Sequence, residues 1–173
     1  MSVDPRDEIW QINWKQYYIT YYQEVFAEKI GLAWQRVDEI SKLIIALTVS
    51  GSAISGWALW NDPRYKIIWT ILAGIGAILA ITNKSFDISK RVVNWTNTKN
   101  GFFKIRIKQE MLMDKMRIYP EFSINEMESE LEKIKADYAK TYESIPNDSF
   151  INGILKRSAQ NNIDALLTEN KEG

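Results

Sequence analysis

The spacing of apolar positions changes character three times along the chain. From Asp7 to Ile40, Trp10, Trp14, Tyr17, Tyr21 and Val25 fall at i, i+4, i+7, i+11 and i+15, with Tyr18, Tyr22 and Phe26 beside them. That pattern predicts one long amphipathic helix. Asp4-Pro5 suits its start, because proline fits a first helical turn. At Leu43 the polar positions nearly vanish. Leu43–Trp60 is 18 residues without a charge, and Tyr65–Thr82 is about as long, with Lys66 at its edge. At roughly 1.5 Å per residue each run approaches the ~30 Å of a hydrocarbon core. Asn61-Asp62-Pro63-Arg64 between them predicts a reversal, since proline cannot continue a helix and Asn and Asp favour tight turns.

Beyond the second run a helical period returns, from Phe86 to Tyr119. Ile88, Val92, Trp95, Phe102, Leu112 and Met116 mark its apolar side. Asn100-Gly101 is where this helix would break, and the alternation in residues 103–108 also fits a strand. Pro120 ends it. Ser123-Ile124-Asn125-Glu126 forms a capping box and opens a helix with Met127, Leu131, Ile134, Tyr138 and Tyr142 at heptad-like spacing. Pro146 stops that helix. Asn147 or Asp148 then caps a last one carrying Ile151, Leu155, Ala159, Ile163 and Leu167.

The expected fold class is an all-α membrane protein: a two-helix transmembrane hairpin with long cytosolic helices forming a helical bundle, oligomeric. Its domains are an N-terminal cytosolic helix over 1–42, the hairpin over 43–82 (spans 43–60 and 65–82), and a C-terminal cytosolic helical region over 83–173. Trp57, Trp60, Tyr65 and Trp69 cluster at the loop end, where an aromatic interface belt would lie. A buried helical pair in a soluble protein has no reason to gather its aromatics at one end. Lys29, Arg36 and Lys42 before the hairpin and Lys84, Lys90, Arg91 and Lys99 after it outnumber Arg64 and Lys66 in the loop. Both termini are therefore expected in the cytoplasm, at the plasma membrane. The first apolar run starts too far along the chain to act as a cleavable signal.

Charge sharpens the picture. The net charge is zero, but residues 84–117 carry nine Lys/Arg against three Asp/Glu, and residues 121–145 carry seven Asp/Glu against three Lys. There is no Cys and no His. That removes thiol nucleophiles, imidazole bases and the usual zinc sites together, and no phosphate-binding glycine loop is present. An enzyme is not expected, nor a metal or cofactor. The aromatic block around Trp14 could stack nucleobases, but with only Lys15 basic within it a packing face is the better reading.

Polar residues in the first apolar run share a face. Ser41, Thr48, Ser52 and Ser55 follow i, i+7, i+11 and i+14, among small-xxx-small pairs. Such a face serves close helix packing, or lines a pore through Thr48, Ser52 and Ser55 once copies assemble. After the hairpin, Lys90, Asn97, Lys104, Lys108 and Lys115 form a stripe, with Arg91, Arg106 and Arg117 nearby. It either attracts phosphates or is a solvated face that pairs with the acidic helix that follows.

The aromatic helix with Trp10, Trp14 and Tyr17, the glycine- and serine-rich hairpin, and the long helix following the second span resemble the SLATT family. These are two-span bacterial proteins found with nucleotide-signalling defence systems. The likeness covers roughly residues 7–119 and is one of architecture and composition. It implies a pore-forming effector that depolarises the membrane and arrests or kills the infected cell. It also implies control by a nucleotide or oligodeoxynucleotide from a partner nucleotidyltransferase, as activator in CBASS-like systems or as a blocking ligand in the Hailong type. The implied partners are the lipid bilayer, further copies of the chain (a tetramer or larger) and that ligand. The most suitable ligand surface is the basic stripe, Lys90, Arg91, Lys104, Arg106 and Lys108, with Trp95 or Phe102 to stack bases. A different class remains open: a non-conducting membrane adaptor that binds a protein through its cytosolic helices.

Overall fold

The structure is a computed structural model describing residues 4–54, 67, 70, 71, 74–76, 78, 87–148 and 153–169; the side chains of 47–54, 153–155 and 165–169 lie outside the description. Every regular element among the described residues is helical, as the apolar spacing predicts. Four helices have defined bounds: α1 (Pro5–Ile54), α2 (Ile88–Ile118), α3 (Ile124–Glu143) and α4 (Gly153–Glu169). Among the described residues no helix is long and apolar enough to cross a membrane. Much of both predicted spans, and the turn between them, lies outside those residues.

The chain divides into two compact units, Met1–Gly31 with Val93–Gly173, and Leu32–Val92. The first is a helical bundle built on heptad spacing. On α2, Trp95, Thr98, Phe102, Ile105, Gln109, Leu112 and Met116 are all buried. Steps of three and four residues keep them on one face of a helix of 3.6 residues per turn. Met127, Leu131 and Ile134 supply the facing positions on α3, and Tyr138 packs on Phe102 at 5.6 Å between rings. The core joins Ile9 of α1 to Phe102, Ile105, Leu112 and Met116 of α2 and to the α3 trio.

α2 and α3 run antiparallel. Lys115 pairs with Glu130 and Lys108 with Asp137, both at 2.6 Å. The predicted break at Asn100-Gly101 does not occur, and residues 103–108 are helix rather than strand. Gly101 has a packing reason instead: a Cβ there would lie 2.7 Å from Thr141 Cγ2 of α3. Ser123 and Glu126 form the expected capping box.

α1 is also antiparallel to α2. Asp4 opens it by accepting from the Arg6 amide at 2.9 Å, and the Arg6 guanidinium reaches the Phe122 carbonyl at 2.7 Å. α4 buries Ala159 and Ile163 and meets α1 where Tyr18 donates to Asp164 while accepting from Gln160. Asp148, a candidate cap for this last helix, has a buried carboxylate that accepts the Trp95 indole N–H at 3.0 Å; the residues a cap would bond, 149–152, lie outside the description.

In the second unit, α1 and α2 meet again. Arg91 lies over the Trp34 ring, 5.0 Å from its centroid, and Ser89 donates to Asp38, which also holds Lys42. Asp87, just before α2, has a left-handed backbone with φ 44. Aspartate tolerates that conformation better than most residues.

Candidate functional site

The densest polar arrangement in the first unit centres on Arg106. Its Nε donates to Glu24 of α1 and its Nη1 to Glu110, one helical turn on, both at 2.7 Å. The guanidinium also sits over Tyr21 and Phe103, at 5.1 and 5.3 Å from their centroids. The Tyr17 hydroxyl donates to Glu110 at 3.0 Å. Burial opposes the charge on Arg106, but the hydrogen bond and field of Glu24, helped by Tyr17 and Glu110, more than reverse this. The guanidinium is held charged beyond its ordinary range. Burial and the bond to Glu110 raise the Tyr17 pKa, with Arg106 working the other way. One cation thus bridges two helices with two nitrogens and two ring faces.

One turn along the same interface, α1 and α2 bury amides. Asn13 and Gln109 are fully buried, and Asn13 Nδ2 donates to the Gln109 carbonyl at 3.0 Å. Among the described residues, Asn13 Oδ1 and both polar atoms of the Gln109 side chain have no partner. Buried Thr20 and Thr98 instead bond back to Gln16 and Asn94 within their own helices. The contact between α1 and α2 therefore buries several polar groups, of which Asn13 and Glu24 are matched across it by the Gln109 carbonyl and Arg106.

The predicted ligand residues fall in both units, Lys90 and Arg91 in the second and Trp95, Phe102, Lys104, Arg106 and Lys108 in the first. Trp95 and Phe102 lie in the core and are unavailable for stacking on a base. The reason is angular. Seven residues apart, they share a face, while Lys90, Lys104 and Lys108 lie roughly 140° round the helix at 100° per residue. Of the rest, Arg106 is committed to Glu24 and Glu110, Lys108 to Asp137, and Arg91 to the Trp34 ring. Lys90 and Lys104 remain exposed. The other expectation for this stripe, pairing with the acidic helix, is what α3 provides through Asp137 and Glu130.

Two further surfaces stand out. The first is the aromatic face of α1, expected as a packing face, which the structure leaves largely open beside α2. Trp14 is 49% exposed and stacks on Tyr17 at 5.6 Å, Tyr17 leads on to Tyr21, and Phe103 is 43% exposed beside Arg106. The aromatic spacing was visible, but not that Ile9, Asn13, Thr20 and Glu24 take the buried face and leave Trp10 and Trp14 outside. The second is a groove of about 230 Å³ between α2 and α3, floored by Met111 and Ile134, with Lys133 joining the two ion pairs on its walls.

Of the predicted pore-lining residues, Thr48 and Ser52 fall on α1 but their side chains lie outside the described residues, as does the whole of Ser55. No protein-family model matches the chain, and no curated protein or solved structure does.

Proposed function

We propose that this chain is a two-span membrane protein that assembles into a pore and acts as the effector of a nucleotide-signalling bacterial defence system. The observation that carries the membrane half is a ridge within the second apolar run. Ile67, Ile71, Ile75 and Ile78 are helical, spaced four, four and three residues apart, and all exposed, Ile67 at 66% and Ile78 at 63%. Leu43, where the first run begins, is exposed as well. A stripe of bare isoleucine within a run of uncharged residues is costly in water and suits hydrocarbon or a neighbouring helix.

The pore half rests on the hydroxyl face of the first run, Thr48, Ser52 and Ser55, and on the resemblance to SLATT proteins. With Trp95 and Phe102 in the core, a nucleotide signal would be recognised by its phosphates, at cations such as Lys90 and Lys104. Expression in bacteria with a potential-sensitive dye tests the reading. Depolarisation by the intact chain that Thr48→Leu and Ser52→Leu abolish, with membrane insertion retained, is the expected result. A membrane-inserted protein that depolarises nothing would leave the adaptor reading in its place.

A further inference from the structure

The aromatic face and the groove share α2, over the same stretch of the helix and on different sides of it. The aromatic face uses Phe103, Arg106 and Glu110 of α2, to which Tyr17 of α1 joins the stacked Trp14 ring. The groove uses Lys108, Met111 and Lys115. At 100° per residue, Phe103, Glu110 and Asp114 lie roughly 110° round α2 from Lys108, Met111 and Lys115. The two surfaces differ in chemistry as well as direction. Trp10 and Trp14 are bordered by an acid, exposed Asp7, which shares their α1 face at i, i+3 and i+7, while Glu110 and Asp114 of α2 are held by Arg106 and Arg117. The groove holds three lysines against two carboxylates around an apolar floor, with Met111 55% exposed. Large indole rings on an acid-edged ridge match a lysine-rimmed slot, by burial of apolar area and by cation–π contact.

From this pairing we infer that the cytosolic unit is a ring-forming module: the Trp10/Trp14 face of one copy docks into the Lys108–Lys133 groove of the next. The inference rests on the membrane-pore reading, which supplies its geometric condition. Copies inserted in one bilayer with the same topology stand parallel and at one height. Contacts between different faces then close into a ring only if donor and acceptor surfaces lie at the same level along the common axis. Measured along α2 they do, since residues 103–114 carry one surface and 108–115 the other. A two-fold pairing of the aromatic face with itself would stop at a dimer and leave the groove empty.

Cross-linking in the cysteine-free chain tests this. Gln11, between the tryptophans, and Ser129, on the α3 rim one turn before Lys133, are exposed positions at which a thiol disturbs little. In membranes under mild oxidation, Gln11→Cys with Ser129→Cys should give a ladder beyond the dimer, about tenfold stronger than either single variant gives. Adding Lys133→Glu should weaken the ladder about tenfold, and adding Asp7→Lys to that should restore it, since opposed charges are again paired. Dimers from Gln11→Cys alone would overturn the inference in favour of two-fold pairing. So would no cross-link from a folded, membrane-inserted protein. Lysine-dependent binding of the groove to anionic vesicles in place of cross-linking would also overturn it, assigning the groove to lipid phosphate. Conductance separates the two readings: a conducting protein with no ladder loses only this interface, whereas a ladder without conductance loses only the pore.

Discussion

The two contacts that α2 makes follow different physics. Against α3 it buries Phe102, Ile105 and Leu112 on Met127, Leu131 and Ile134, and keeps its charges outside in the Lys108–Asp137 and Lys115–Glu130 pairs. Exposed pairs of that kind are worth about 0–1 kcal/mol each, so apolar packing holds this hairpin together. Against α1 it buries Asn13, Gln109, Thr20 and Glu24 and clasps the last with Arg106. Polar contacts in a core add little net stability but penalise every register except one. The first contact supplies strength and the second alignment.

That contrast can be broken experimentally. Phe102→Ala should have the largest effect, about 3–5 kcal/mol lost in denaturant unfolding, because a fully buried ring leaves a cavity. A loss as small as that of a surface site would show that the α2–α3 contact is not the strong one. Next comes Arg106→Met, expected to cost about 2 kcal/mol because Glu24 is left with little solvent and no cation. Combining it with Glu24→Leu should recover most of that loss; additive losses would mean that the clasp stabilises rather than aligns. Gln109→Met should move the other way, raising stability by about 1 kcal/mol, since it removes two unpartnered polar atoms from the core at similar volume. The smallest effect belongs to the α3 cap. The bonds from Ser123 hold the Glu126 carboxyl below its ordinary value. A folded-state pKa lowered below the unfolded one stabilises above the ordinary glutamate range, and the contribution fades as pH falls through the folded value. Glu126→Gln should therefore flatten that part of an acid unfolding profile.

The same division decides what could be read from the sequence. The α2–α3 hairpin was largely legible, because heptad spacing, Pro120 and the Ser123–Glu126 box are local signals. Even there, Gly101 suggested a break where it permits a close approach to Thr141, a partner 40 residues away that no local pattern points to. The α1–α2 contact was not legible. Trp10 and Trp14 advertise an apolar face more loudly than Asn13 and Glu24 do, yet the polar residues are inside. Their burial depends on Gln109 and Arg106, more than 80 positions along the chain. The burial of Trp95 and Phe102 was missed for a related reason: the candidate ligand surface joined these two aromatics to three lysines that one helix must present on different sides. Neither clue to a ring was a motif; each is a relation between helices.

The bond between the Trp95 indole and Asp148 has an optical consequence. It ties the segment after α3 to a ring shielded from water, in a T-shaped contact with Phe26 at 6.3 Å. If that segment detaches while the rest of the bundle stays folded, Trp95 meets solvent. Its emission would move to longer wavelength and its near-ultraviolet dichroism would fade, with helix content nearly unchanged. The chain thus carries its own label for the docking of α4, readable in the untagged protein by following Trp95→Phe as the blank.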